Sequence, residues 1–299
     1  MSRHFNRREL LLAGAGAAWL GSGVLSSLGA TARAPRKILY FTKSAGFQHS
    51  VVARQGDAIS HSEKILTEIG KEHGFEVVAS KDGRLFEPDR IGEWDGFVFY
   101  TTGDLTTPGT DGQPPLSADG EKALYDAIRG GKGFVGMHCA TDTFGHFGAR
   151  NKGAEDPYIQ MIGGEFISHG PQQVATLKVV DPAFPGVAGG FGKSPSFRIN
   201  DEWYAMKNYR DDLHVILVQK TEGMEGRDYQ RPDYPATWAR KHGEGRVFYT
   251  SMGHREDVWT NPDYQALLLG ALAWSTGQVE ADLTPNIKEV TPDYQRLPA

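Results

Sequence analysis

The chain has 299 residues, of which 39% are hydrophobic and 23% are charged, a composition that excludes a disordered or collagen-like protein. Its formal net charge is −5 and its isoelectric point is about 6.1, which argues against a nucleic-acid partner. The single cysteine, Cys139, excludes an internal disulfide, a C-x-x-C redox pair and a cysteine-rich zinc module. Any bound metal would therefore be held by His, Asp and Glu side chains.

The first 32 residues are predicted to be a twin-arginine export signal. Arg7 and Arg8 precede an apolar run over residues 10–28, which its glycines and serines make only mildly hydrophobic. Ala30 and Ala32 offer a cleavage site. A retained anchor is the alternative, because the run is about long enough to span a bilayer. We expect export to the periplasm or the extracellular space, without a permanent membrane anchor.

Beyond the signal, short apolar runs alternate with amphipathic segments, the pattern of an α/β domain with a largely parallel sheet. The elements predicted first are strands over 37–42, 75–79, 96–100 and 133–137, a helix over 58–73, and a helix that Ser117 caps and the glycines at 130 and 131 end. The later ones are a short helix over 158–162, strands over 174–180, 214–219 and 246–250, and a buried helix over 264–274. One domain over residues 36–280 is expected, followed by an extended tail over residues 281–299.

Three histidines come soon after predicted strands. His49, His138 and His254 should meet at one edge of the sheet, because the carboxyl ends of parallel strands lie together. His169, in a turn-rich segment, and Glu202, in an acidic pair, are further candidates. Such imidazoles can bind a divalent metal, serve as acid and base, or hydrogen-bond a polyol, and their spacing alone does not choose among these roles.

In several classes of hydrolase, a sharp turn at the end of a strand carries the nucleophile. Cys139 lies beside a predicted strand end of this kind. In the segment GMHCA, however, His138 holds the elbow position and the thiol falls one residue late. A small buried thiol is therefore favoured. Trp203, Tyr204 and Trp259 follow polar candidates closely, and they could either stack on a sugar or pack in the core.

Five ordered segments span most of residues 37–277: GFQHSVV, GKGFVGMHCA, YIQMIGGEFISHGPQQ, NDEWY, and PATW followed by GEGRVFYTSMGH. Together they resemble the ThuA-like, or trehalose-utilisation, family of the class I glutamine amidotransferase-like superfamily. The resemblance implies a flavodoxin-like three-layer α/β fold with a mostly parallel central sheet, and a role in processing 3-keto-glycosides. Carried over by position, it implies a site formed by His49, His138, His169, Glu202 and His254.

The leading hypothesis is an exported enzyme that acts on a keto-sugar or 3-keto-glycoside by removing a proton next to the carbonyl, with elimination, hydrolysis and isomerisation all open. The catalytic base would be His138 or Glu202. The residues expected to hold a divalent cation, Zn²⁺ or similar, are His49, His169 and His254. The expected substrate-binding residues are Gln48, Asp142, Trp203, Tyr204 and Trp259.

The expected partner is a small-molecule sugar or keto-glycoside, and the sequence leaves the oligomeric state open. Two alternatives belong to other functional classes. One is a non-catalytic periplasmic sugar-binding or accessory protein that keeps the site without its chemistry. The other is a thiol hydrolase that uses Cys139.

Overall fold

The computed structural model describes residues 34–110, 112–144 and 153–298. The predicted export signal, residues 1–32, lies outside the described residues. Within the described ranges, no helix combines the length and the apolar character that a membrane span requires.

The first half of the chain forms β1 (Arg36–Phe41), β2 (Ser44–Ala45), α1 (His61–Glu72), β3 (Phe75–Ser80), β4 (Gly96–Phe99), β5 (Thr102–Gly103), α2 (Ala118–Arg129), β6 (Gly133–Met137), α3 (Pro157–Ile162), β7 (Glu165–His169) and β8 (Gln173–Val179). The second half forms β9 (Ser196–Asp201), β10 (Tyr204–Lys207), β11 (His214–Lys220), β12 (Tyr234–His242), β13 (Gly245–Thr250), α4 (Glu256–Trp259), α5 (Pro262–Ser275) and α6 (Ile287–Val290). The predicted strands and helices are all present, and their bounds differ from the predicted ones by at most three residues.

One sheet of nine strands has the order β3-β1-β4-β6-β13-β12-β11-β8-β9. The pairs from β3 through β13 are parallel. Numbered along the chain, these five parallel strands follow the order 2-1-3-4-5, which is that of the flavodoxin-like fold. The predicted α/β, flavodoxin-like fold is therefore confirmed.

The other half of the sheet, from β13 through β12, β11 and β8 to β9, is antiparallel. The sheet is thus mixed, and its parallel half carries the strand-end histidines. Among the described residues after position 152, four strands lie outside the predicted set: β7, β9, β10 and β12.

Helices cover both faces of the sheet, which gives the three layers that the flavodoxin-like fold implies. A Cβ atom added at Gly133 of β6 would meet Ser275 of α5, whereas one added at Gly136 would meet Ile162 of α3. Residues an odd number of positions apart in a strand point to opposite faces. Helices α5 and α3 therefore pack on opposite sides of β6.

The antiparallel half curls back over the edge that carries the histidines. In a flat sheet, the four steps from β13 to β9 would separate these strands by about 19 Å. Nevertheless, Oδ2 of Asp201, the last residue of β9, accepts a hydrogen bond from the backbone N–H of Gly253, just after β13, at 2.7 Å. Register irregularities in β11, on either side of Leu217, accompany this curvature.

The segment 281–299 was expected to be extended, and this expectation is wrong in part. It contains the short helix α6, and it buries Ile287 and Tyr294. The buried guanidinium group of Arg231 donates a hydrogen bond to the carbonyl oxygen of Tyr294 at 2.9 Å. The apolar side chains at these two positions dock the tail on the domain.

Candidate active site and metal centre

Three imidazoles meet at the carboxyl edge of the parallel strands. His49, His138 and His254 follow β1, β6 and β13, and their ring centroids lie 5.0 Å (His49–His138), 5.1 Å (His49–His254) and 5.2 Å (His138–His254) apart. Between β1 and β6 runs β4, and Tyr100, which follows it, places its ring 5.5 Å from that of His49. Neighbouring strands of the parallel half thus each deliver a side chain to the same point, as the fold requires.

His138 occupies the elbow after β6. Its φ angle is +43°, a left-handed conformation that costs a non-glycine residue about 1–3 kcal/mol. Nδ1 of His138 lies 3.0 Å from the carbonyl oxygen of Ser251. A carbonyl oxygen only accepts hydrogen bonds, so the proton of the neutral ring is on Nδ1 and the lone pair is on Nε2. Nε2 faces Glu202 and His254.

Glu202 brings a negative charge between the histidines. Its Oε2 lies 3.1 Å from Nδ1 of His254 and 3.5 Å from Nε2 of His138, and its Oε1 lies 3.4 Å from Nδ1 of His169. Burial alone would raise the pKa of this carboxyl group, but the interactions with His138 and His254 outweigh burial and hold the pKa well below its ordinary value. Glu202 is therefore ionised at neutral pH.

His254 is oriented from the outside by Gln172. The Gln172 side chain accepts a hydrogen bond from Nη1 of Arg255 at 2.9 Å, and because arginine only donates, the oxygen of the amide must face Arg255. The amide nitrogen then faces Nε2 of His254 at 2.9 Å. Burial lowers the pKa of His254, but the hydrogen bond and the charge of Glu202 outweigh burial and raise it.

His49 supplies a buried nitrogen without a protein partner. Within the described part of the chain, its Nδ1 is buried and makes no hydrogen bond. Burial lowers the pKa of His49 well below its ordinary value, and the neighbouring His138 and His254 lower it further. The ring is therefore neutral at neutral pH, the form in which imidazole binds a metal.

The donor set fits a divalent cation. Among the described residues, His49, His138, Glu202 and His254 each offer one ligand atom, and these four atoms lie within 4.8 Å of one another. Imidazole nitrogens and a carboxylate are common Zn²⁺ ligands, and a metal ion is a partner that a buried imidazole nitrogen without a hydrogen bond, such as Nδ1 of His49, can accept. We call these four residues the histidine–glutamate cluster.

His169 lies outside this cluster, although the sequence placed it among the metal ligands. It ends β7 rather than lying in a turn, and its side chain is 43% exposed. Its Nδ1 lies 3.0 Å from the carbonyl oxygen of Gly170, and its ring stacks on Tyr204 with the centroids 5.8 Å apart. His138, which was expected to be a catalytic base, is instead one of the four residues whose ligand atoms converge.

Trp203 and Trp259 were expected to line a sugar site, and their burial contradicts this. Both side chains are fully buried. The indole N–H of Trp203 donates to the carbonyl oxygen of Gln173 at 2.9 Å, and that of Trp259 donates to the carbonyl oxygen of Gly253 at 2.8 Å. Neither ring offers a face to a ligand. Both tryptophans instead stabilise the site through these hydrogen bonds to the backbone.

The other predicted substrate-binding residues lie near the cluster along the chain. Gln48 is half-buried and directly precedes His49. Asp142 is buried at the end of the 3₁₀ turn that begins at His138. Tyr204 is buried, and its ring lies 4.2 Å from that of His138, centroid to centroid. Tyr204 therefore packs directly against the cluster.

The structure gives no support to Cys139 as a nucleophile. The thiol is buried directly behind the elbow that His138 occupies. Burial raises its pKa well above the ordinary value, and the nearby carboxylate of Asp142 raises it further. A buried, protonated thiol is inert, as the sequence led us to expect.

Asp201 has a structural role in the site that the sequence analysis did not assign to it. The side chain is fully buried. Its Oδ1 accepts from the backbone N–H groups of Glu202 (3.0 Å) and Arg255 (3.2 Å), and its Oδ2 accepts from that of Gly253. Asp201 thus ties the loop of Glu202 to the loop of His254. Its position beside Glu202, in the acidic pair, is the signal that the sequence offered.

Comparison with known proteins agrees with this architecture. The crystal structure of a ThuA-like protein from Bacteroides uniformis is similar, with 18% sequence identity, a TM-score of 0.57, and coverage of 88% of this chain and 95% of that chain. That of a ThuA-like protein from Parabacteroides merdae has 17% identity, a TM-score of 0.59, and coverage of 88% and 99%. No curated protein sequence matches the chain. The family model described as ThuA, trehalose utilisation, matches residues 37–275, and the chain therefore belongs to the ThuA family.

Proposed function

We propose that this protein is a metal-dependent enzyme that acts on a keto-sugar or 3-keto-glycoside by removing a proton next to the carbonyl group. The observation that carries the proposal is the histidine–glutamate cluster, with its ionised carboxylate and its buried nitrogen without a hydrogen bond. The description of the family, trehalose utilisation, supports a sugar as the substrate.

His49, His138, Glu202 and His254 would hold the divalent cation, Zn²⁺ or a similar ion. A cation bound there supplies Lewis-acid polarisation of the substrate carbonyl and makes the neighbouring C–H bond more acidic. The protein's own contribution is the orientation of the ligands. The Ser251 carbonyl fixes the ring of His138, and Asp201 fixes the loops that carry Glu202 and His254.

We assign the proton transfer to His169, in place of His138 or Glu202, since these two face the other members of the cluster. Nδ1 of His169 faces the Gly170 carbonyl and the Glu202 carboxylate, both of which accept hydrogen bonds. The lone pair of the neutral ring is therefore on Nε2. Its exposure leaves His169 accessible to a substrate bound over the cluster.

In the proposed step, Nε2 of His169 takes the proton from the carbon next to the ketone. The electrons of the C–H bond form a carbon–carbon double bond to the carbonyl carbon, and the negative charge moves to the carbonyl oxygen. Return of this electron pair expels the glycosidic oxygen from the neighbouring carbon, and the departing oxygen takes the proton from His169. Alternatively, the hydroxyl proton of the deprotonated carbon moves to the former carbonyl oxygen and His169 returns its proton to the former carbonyl carbon, which isomerises the sugar by moving the ketone to the neighbouring carbon.

Two variants and a control separate metal binding from proton transfer. Turnover of 3-keto-trehalose and metal content are measured for the wild type, His138→Ala, His169→Gln and His73→Gln, which changes a histidine at the end of α1. We expect His138→Ala to lose both metal and turnover. His169→Gln should keep the metal and lose turnover by about 10²–10⁴-fold. His73→Gln should retain both.

Other results would contradict parts of this proposal. Wild-type turnover by His169→Gln would remove His169 from the proton transfer. Metal-free wild-type protein that turns over the substrate despite a chelator would remove the cation. Calorimetric binding of the sugar without any product would favour the non-catalytic sugar-binding protein.

We also propose that the enzyme is exported. The support is the twin-arginine pair, Arg7 and Arg8, followed by the mildly apolar run over residues 10–28. Folding before export, which this route allows, is compatible with loading the cation in the cytoplasm.

A further inference from the structure

Phe47 places an exposed aromatic ring beside the histidine–glutamate cluster. Its side chain is 60% exposed, and it is the only aromatic among the large exposed hydrophobic residues of the described ranges. Its ring meets that of His49 edge to face, with the centroids 4.9 Å apart and the planes at 87°. Tyr100 and Tyr204, which also pack on imidazoles of the site, are buried.

The loop holds Phe47 in this position. The hydroxyl of Thr102 donates a hydrogen bond to the carbonyl oxygen of Phe47 at 2.7 Å. Just before it, β2 pairs with β5, and the chain bends at Gly46, which adopts a positive φ of 148°. The exposed ring therefore sits on a fixed backbone, so a ligand would lose little entropy in ordering it.

We propose that Phe47 is the stacking surface for the sugar ring that leaves, next to the ring that reacts. This inference rests on the proposed function, because it assumes a glycoside bound at the cluster. The apolar C–H face of a pyranose packs on an aromatic ring, and more than half of the Phe47 side chain is open to such a contact. Phe47 provides the stacking surface that the buried Trp203 and Trp259 cannot provide.

The geometry places the stacked ring beside the cluster rather than over it. A ketone activated by the cluster must lie against the ligand atoms of His49 and its neighbours, whereas Phe47 offers no ligand atom and its ring centroid lies 4.9 Å from that of His49. This separation is about the width of one pyranose ring. A ring stacked on Phe47 is therefore the neighbour of the ring that carries the ketone, and the preferred substrate is a disaccharide.

Binding measurements in a variant that cannot turn over its substrate test this assignment. In the His169→Gln background, calorimetry gives the Kd of 3-keto-trehalose and of a methyl 3-keto-glucoside for Phe47, Phe47→Ala, Phe47→Leu and Phe47→Trp. We expect Phe47→Ala to weaken disaccharide binding roughly tenfold and to leave the methyl glycoside unchanged. Phe47→Leu should be intermediate, and Phe47→Trp should bind as well as Phe47.

The matched control is Leu297→Ala, which removes another exposed apolar side chain, in the C-terminal tail. Metal content and the melting temperature are measured for every variant, because a ring that only shields His49 would change these and not the difference between the two sugars. Equal affinity of Phe47→Ala and Phe47 for the disaccharide, or equal weakening for both sugars, would overturn the inference. Disaccharide binding that depends on Phe47, together with no turnover by the wild type, would retain the inference and overturn the proposed function.

Discussion

Asp201→Asn tests whether the two loops of the site are tied together as the structure indicates. The carboxylate of Asp201 accepts three backbone N–H groups, two at Oδ1 and one at Oδ2. An asparagine side chain of the same shape has one oxygen and one NH₂ group. In either orientation of the amide, its NH₂ group faces a backbone N–H group, which cannot accept a hydrogen bond. The least costly orientation places the NH₂ group where Oδ2 was, so that only the hydrogen bond from Gly253 is lost.

The expected cost is that of one hydrogen bond to a charged group, about 1.5–3 kcal/mol of unfolding free energy. Burial raises the pKa of Asp201, so the loss of its charge relieves part of a desolvation cost and favours the lower end of this range. Urea denaturation measures the free energy, and a shifted midpoint with an unchanged slope would show that stability alone has changed. Metal content should fall as well, because Glu202 and His254 lose their common support.

The matched control is Asp257→Asn, in helix α4, which directly follows the loop of His254. Asp257 is 62% exposed and pairs with the guanidinium group of Arg255 at 2.9 and 3.0 Å. Exposed ion pairs contribute little, so this variant should change the unfolding free energy by less than about 1 kcal/mol. If Asp201→Asn costs no more stability than Asp257→Asn and keeps its metal, the bridging role of Asp201 is refuted.

Three further predictions concern other parts of the chain. Cys139→Ala should cost about 1 kcal/mol of unfolding free energy and leave turnover unchanged, and a loss of turnover with the fold intact would restore the thiol mechanism. Burial lowers the pKa of His214, but the carboxylate of Asp181 outweighs it and raises the pKa above that of the unfolded chain. The contribution of His214 to stability is therefore full below the unfolded pKa of about 6.5 and is lost as the pH rises through the folded pKa. Accordingly, His214→Gln should destabilise the protein more at about pH 5.5 than at about pH 8.5, as measured by urea denaturation, and an equal effect at both pH values would contradict this. Replacing both Arg7 and Arg8 by lysine should leave the precursor inside the cell, which fractionation and immunoblotting would detect, and unchanged export would exclude the twin-arginine route.

The parallel half of the fold could be predicted because its strands are short, fully apolar runs. GFVGM, for example, is buried at every position, and the predicted bounds agree with β6. The convergence of His49, His138 and His254 followed from the same fact, because parallel strands end at a common edge. Local sequence was enough for both.

The antiparallel half lacks such runs. SFRIND, which forms β9, is exposed or half-buried along most of its length, so its hydrophobicity gives no strand signal. β12 contains Pro235, a residue that argues against a strand, together with basic residues at its end. These strands form because neighbouring strands of the curled sheet give their backbones hydrogen-bond partners. A local stretch of sequence does not contain those partners.

The burial of Trp203 has a simple geometric cause. In an extended segment, neighbouring side chains point in opposite directions, so if Glu202 faces the cluster then Trp203 must face the core. The alternation of side chains along NDEWY therefore already predicts a buried Trp203. The position of His169 outside the histidine–glutamate cluster could not have been predicted, because it depends on the curl that brings β9 and β7 over the parallel edge.

The most direct test of the proposed chemistry follows a deuterium label. 3-Keto-trehalose carrying deuterium on the carbon between the ketone and the glycosidic carbon is incubated with metal-loaded enzyme, and the product is analysed by mass spectrometry and NMR. Removal of a proton from this carbon predicts that the product loses the deuterium there, and that His169→Gln forms little product. A product that retains the full label at that carbon would contradict proton abstraction, and so would a labelled substrate that the loaded enzyme leaves unchanged.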